Sequence, residues 1–397
     1  MFRGADMSQD HFTTTTRTSW LQRLGSSIGG VLFGIALLVI GAILLAWNEG
    51  RSVTAIRTAD DGGRRVVAAA PGRIDPANNG RLVHVSGPAA APAPPTDPQT
   101  GVTTPALRLT RTVEHYQWIQ TSRSETRTRL GGAQETVTTY DYAMDWSPRT
   151  VTSDDFARPD GHRNPEPVLT DADYPAAGLT LGSYRLSSEA AARLPSTTPV
   201  TLTAADAERA AALLGRKVSP AGDALYVGED PARPRVGDAR IRYVIAPAGP
   251  VSVMARQDGD RLDVFHGRHG DLFEIRAGVM DADAMVRQFK AENQVLTWVL
   301  RLVGFIMTVA GFGLMLHPVR VLADVLPLAG SILGAGIGLV SFAAGSLVSC
   351  VVIALAWFAF RPIVSIAVLA AGAAVVAGVI VLRRRRRPAP EQLTVVR

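Results

Sequence analysis

Hydrophobic and polar positions alternate in two ways along this chain. From Ile28 to Trp47 twenty residues pass without a charge, enough to cross a bilayer core of about 30 Å as a helix. Long apolar runs return at Trp298–Leu316, Ile332–Phe360 and Ile363–Leu382. The stretch between the first run and the second reads as ordinary folded sequence with strand periodicity. Arg81–Gly87 is a short strand. Ala106–Gln120 alternates Leu107, Leu109 and Val113, then changes phase to Tyr116 and Trp118, the pattern of a bulge near Glu114–His115. Thr136–Trp146 carries Tyr140, Tyr142, Met144 and Trp146 on one face, which predicts a sheet face packed on a core. Arg240–Ile245, Val251–Arg256 and Leu262–Phe265 follow as strands, and the blocks 81–146 and 240–275 are candidates for related halves. Pro88–Pro98 reads as a loop outside the core. Thr203 and Asp206 form a capping-box pattern that opens Ala204–Leu214, and Gly215 stops it. Met280–Gln294 reads as helix running straight into the second apolar run.

These elements predict an α+β exported domain rich in antiparallel β-sheet, carried on a four-helix transmembrane region with one N-terminal and three C-terminal spans. The expected segments are a cytoplasmic piece 1–27, spans 28–47, 298–316, 332–360 and 363–382, a periplasmic or lumenal domain 48–295, a short amphipathic cytoplasmic connection 317–331, and a basic cytoplasmic tail 383–397. Trp47-Asn48-Glu49 is a poor cleavage site, so the first run is expected to stay as an anchor. Four spans bring the arginines of the N-terminal piece and the run Arg383, Arg384, Arg385, Arg386 and Arg387 to one side, as the positive-inside rule requires. Trp47, Trp298 and Trp357 then lie at the opposite interface, where Arg301 can snorkel, and Arg361 turns the third span into the fourth.

Charge adds little beyond this. The net charge is +6, and nearly all the basic residues are arginine, in an Ala-, Gly- and Pro-rich composition typical of GC-rich bacterial genes. Directly after a span, the arginine run reads as an anchor for anionic lipid headgroups rather than a nucleic-acid patch. Cys350 is the only cysteine, which excludes an intramolecular disulfide and cysteine-based zinc sites.

Candidate chemistry is sparse. His266 and His269, with Asp271, have metal-ligand spacing but sit in a Gly-rich turn without a further ligand, and a solvated loop is the simpler reading. No catalytic or cofactor-binding motif is present, and no acidic residue lies at mid-span to carry coupled transport. Small residues recur at helical spacing instead. Gly330, Gly334 and Gly338 in the third span, and Gly30 and Gly34 in the first, predict close helix packing within one chain or between copies.

Several pieces together resemble one family. Ser19-Trp20-Leu21, Gly29-Gly30, Trp47-Asn48-Glu49-Gly50-Arg51, Gly80-Arg81-Leu82-Val83-His84 and Val113-Glu114-His115-Tyr116-Gln117-Trp118 look like the LUMA (transmembrane protein 43) family. So do Gly161-His162-Arg163-Asn164-Pro165, Gly237-Asp238, Thr297-Trp298 with Arg301 and Gly304, and Phe360-Arg361-Pro362, in order from about residue 19 to 382. The resemblance implies four spans, a large lumenal or periplasmic domain and self-association, with no catalytic residues and no cofactor. Eukaryotic members sit in the endoplasmic reticulum and inner nuclear membrane and are linked to lamins and emerin. In a cell without a nucleus the equivalent place is the plasma membrane.

The expectation is therefore a multi-pass membrane scaffold that forms homo-oligomers and binds other membrane proteins. The alternative is an exported enzyme or metal-dependent module using His266, His269 and Asp271.

Overall fold

The computed structural model describes residues 10–325, 327–360 and 362. The chain divides into a sheet unit, residues up to 19, 57–129 and 133–291, and a helical unit, residues 20–56, 130–132 and from 292 onward. The fourth expected span, Arg361 and the Arg383–Arg387 run lie outside the described residues.

In chain order the elements are β1 (Asp10–Thr18), α1 (Trp20–Arg65), β2 (Val67–Ala69), β3 (Leu82–Ala90), β4 (Ala106–Thr128), β5 (Gln134–Ser147), β6 (Ala172–Pro175), β7 (Thr180–Leu181), β8 (Tyr184–Arg185) and α2 (Ser188–Ala192). Then come β9 (Thr198–Pro199), α3 (Ala204–Leu214), β10 (Val218–Ala221), β11 (Ala224–Val227), β12 (Ala239–Pro247), β13 (Gly249–Asp258), β14 (Arg261–Asp263), β15 (Phe265–His266), β16 (Asp271–Leu272), β17 (Glu274–Ala277), α4 (Ala282–Ala323) and α5 (Pro327–Phe360).

Two main sheets build the sheet unit. One has the order β1-β5-β4-β12-β11-β10, with β6 on β4 and β9 on β12; the other runs β17-β13-β14-β8-β7-β3-β2, closed by a β13–β3 pairing. Val83, Val85, Leu181, Tyr184, Val251 and Val253 fill the core of the second, and Leu109, Val113, Leu225, Ile241 and Tyr243 that of the first. β3 pairs with β13 and β4 with β12. The blocks 81–146 and 240–275 are thus interleaved, each giving a strand to each sheet, rather than two separate halves. α3 starts at the Thr203–Asp206 capping box and stops at Gly215, whose φ of 62° is the left-handed turn that glycine adopts without strain.

β4 departs from its expected pattern. It runs for 23 residues without a break, pairing with β12 up to His115 and with β5 from His115 on. No bulge lies at Glu114–His115, because the inward positions continue in phase as Arg111, Val113, His115 and Gln117, all buried. Polar side chains on the core face and aromatic ones on the other mimic a change of phase. The β5 aromatic face is corrected in the same way: Tyr142 is buried, Met144 is 43% exposed, and Tyr140 and Trp146 are half-buried.

Among the described residues three helices are long and apolar enough to cross a membrane, in α1, α4 and α5. α1 and α4 continue well beyond the runs 28–47 and 298–316. The connection expected over 317–331 is mostly helix, since α4 reaches Ala323 and α5 begins at Pro327. The apolar period carries on there through Val321, which is fully buried. Close approach of α1 to α4, and of α5 to α4, rests on glycine. A Cβ at Gly34 would lie 2.7 Å from the Gly311 carbonyl, one at Gly41 3.1 Å from the Gly304 carbonyl, and one at Gly345 2.8 Å from the Val309 Cα.

β1 joins the N-terminal segment to the first sheet. Nine register pairs join Asp10–Thr18 to β5, from Asp10↔Tyr142 to Thr18↔Gln134.

Candidate functional site

The densest polar cluster of the helical unit surrounds Glu49. The helix continues through Trp47-Asn48-Glu49, so this carboxylate, 2% exposed, faces other helices instead of solvent. Arg301 grips it with both arms, Nε to Oε1 at 2.6 Å and Nη2 to Oε2 at 2.9 Å. The Trp357 indole N–H donates to Oε2 at 2.7 Å, and the Arg301 guanidinium lies over the rings of Trp298 and Trp357, at 4.8 and 5.9 Å. One turn outward, Asn48 Nδ2 donates to the Thr297 carbonyl at 3.0 Å, and Arg51 donates to Asn293 Oδ1 and Thr297 Oγ1, both at 3.0 Å. A carboxylate with three donors and a guanidinium held in bidentate geometry are saturated. Their chemistry is to fasten α1, α4 and α5 together at one depth.

A second buried pair lies at the other end of the same helices. Arg23 Nη2 meets Asp324 Oδ2 at 2.5 Å, and Nη1 donates to the Gly132 carbonyl at 2.6 Å. The Trp20 indole donates to the Val321 carbonyl at 2.8 Å. Both pairs avoid the penalty of an isolated charge in an apolar setting by mutual hydrogen bonding.

Of the small residues singled out by the sequence, Gly34 packs tightly on Gly311 and Gly334 meets the Arg320 guanidinium, with 3.0 Å from a built Cβ to Nε. Gly30 and Gly338 have open space where a Cβ would stand, and Gly330 lies in α5. Gly345, on the same small-residue face of the third run, packs on Val309, and Gly41, Gly304 and Gly311 carry contacts that were not anticipated. Trp47 and Trp298 are more than half exposed, whereas Trp357 turns inward to Glu49. Arg301 turns to Glu49.

In the sheet unit Asp97 and Arg111 form a fully buried pair at 2.6 Å. Tyr243 and Tyr174 donate to the same carboxylate at 2.6 and 2.8 Å, and Arg111 also donates to Gln99 Oε1 and the Thr170 carbonyl. Burial pushes the Asp97 carboxyl up, but hydrogen bonds from Tyr243, the Gln99 N–H and Tyr174, with the Arg111 charge, outweigh it and hold the group below its ordinary value. Burial likewise pushes Tyr174 up to about 12. Asp97 comes from the Pro88–Pro98 stretch, read above as outside the core. Buried His162 stacks on Tyr142, centroids 4.0 Å apart, with Nδ1 on the Arg158 carbonyl and Nε2 3.3 Å from Asp10.

His266 and Asp271 meet at 2.7 Å as an exposed pair across β15 and β16. Among the described residues no group of three His, Cys, Asp or Glu side chains is placed to hold a metal ion. The structure does not bring His269 into a ligand set with them. Glu49 is the residue the sequence reading missed. Its signal was an acid just past one apolar run and an arginine just inside another.

The family model described as Transmembrane protein 43 matches residues 115–362. Transmembrane protein 43 of Homo sapiens is 29% identical over 378 residues, covering 91% of this chain and 92% of the relative. That of Rattus norvegicus is 29% identical over 366 residues, covering 88% and 89%, and the Drosophila melanogaster homolog is 27% identical over 361 residues, covering 86% and 92%. No solved structure matches.

Proposed function

Because this chain belongs to the transmembrane protein 43 family and is an integral membrane protein, we propose that it works as a multi-pass membrane scaffold, self-associating and holding other membrane proteins through its sheet domain. The observation that carries the reading is the Glu49–Arg301–Trp357 cluster. The polar groups of this cluster are engaged in fastening helix to helix, as a frame requires. The open faces at Gly30 and Gly338 support contacts beyond those within the described chain. Four spans, with the last over 363–382, and an anionic-lipid anchor at the arginine run belong to the same proposal.

The test is crosslinking in native membranes followed by affinity purification and mass spectrometry, comparing the natural chain with Gly30→Leu/Gly338→Leu. The expected result is self-crosslinks that weaken in the variant, together with a reproducible set of membrane-protein partners. A chain recovered only as a monomer with no partner overturns the reading.

A further inference from the structure

β1 is held on its sheet unlike the other long strands. None of its nine residues is buried, whereas β3, β4, β5, β12 and β13 all contribute buried side chains. Its grip consists of backbone pairing with β5 and three side-chain contacts: Phe12 stacked on Tyr140 at 6.3 Å, Arg17 on Glu135 at 3.1 Å, and Asp10 beside His162 at 3.3 Å. A single residue, Ser19, separates it from α1.

We propose that β1 is an exchangeable strand: in the self-associated state the β1 of one copy lies on the β5 edge of another. This rests on the self-association reading and names its interface. Three observations carry it. Releasing β1 withdraws no buried side chain of its own from a core, so opening is cheap compared with removing a core strand. Once β1 leaves, Gln134–Tyr142 is a bare edge bearing Val137 and Tyr140, which demands a covering strand. A second copy's β1 fits that edge in every detail, since exchange rebuilds the same nine register pairs, the same stack and the same charge pairs.

The test uses the full chain in its membrane with Cys350→Ser, which leaves no other thiol. Two differently tagged forms, one with Thr13→Cys and one with Thr139→Cys, are coexpressed and oxidised with copper phenanthroline; these positions are direct register partners. A third form carries both cysteines in one chain. Exchange predicts a covalent heterodimer of the two single-cysteine forms, and covalent oligomers of the double-cysteine form. A double-cysteine chain that closes at monomer mass, with no mixed dimer, overturns exchange. If the tags still copurify, self-association stands without it. If they do not copurify, the self-association reading itself falls. No disulfide in any form overturns the proposal by removing the β1–β5 pairing from the membrane-bound protein.

Discussion

Glu49 and Arg301, 252 residues apart in sequence, meet as a bidentate ion pair that is almost sealed from solvent. Removing one partner of such a pair strands the other. Glu49→Gln or Arg301→Gln should therefore lower stability by about 3–5 kcal/mol. Glu49→Leu with Arg301→Leu should recover a good part of that loss. Thermal unfolding of the detergent-solubilised chain measures both, and a double-variant loss equal to the sum of the two single losses would show that the pair is not coupled.

Helix glycines should separate into two classes. Gly34→Leu and Gly311→Leu force a side chain against a carbonyl or backbone less than 3 Å away and should reduce the melting temperature sharply. Gly30→Leu and Gly338→Leu meet nothing within 4 Å and should leave melting nearly unchanged. Only copurification of differently tagged chains should respond to the second class.

The buried Asp97–Arg111 pair sets the tolerance of the sheet unit to substitution. Arg111→Met leaves Asp97 and two tyrosine hydroxyls without a cation and should destabilise by about 3–5 kcal/mol. Tyr174→Phe removes one of several donors and should cost about 1 kcal/mol. Denaturation of the full chain, followed by the near-ultraviolet signal of its aromatic residues, distinguishes the two.

Acid should weaken the fold in two stages. Burial pushes His115 below 6.5, against the pull of the Leu169 carbonyl and Asp171. The unfolded chain then takes up that proton first, so stability declines as pH falls below 6.5. Asp97, held below 3.8, adds stability that is present above 3.8 and is lost as pH falls through its depressed value. Melting temperatures across this range should show both slopes, and His115→Gln should reduce the first, to which His84, likewise pushed down by burial, also contributes.

The sequence made legible what simple periodicity encodes. Uncharged runs showed the apolar helices, and Thr203, Asp206 and Gly215 marked both ends of α3. What stayed hidden was paired polarity. Arg111, His115 and Gln117 occupy core positions of β4 because Asp97, the Leu169 carbonyl and the Arg149 carbonyl complete their hydrogen bonds. Read by hydrophobicity alone, the same residues look like surface. Glu49 was hidden for the same reason, since its partner lies in another helix.

The pairing of β1 with β5 also imposes an order in time. The strand is made first, but its partner begins 116 residues later, as the difference between Gln134 and Thr18 shows. At roughly 5–20 residues per second, synthesis of that interval takes on the order of ten seconds. For that time the nascent chain carries an unsheeted threonine-rich segment ahead of an apolar helix already seeking lipid. Whatever delivers this protein to its membrane must keep Asp10–Thr18 accessible until the ribosome has supplied β5.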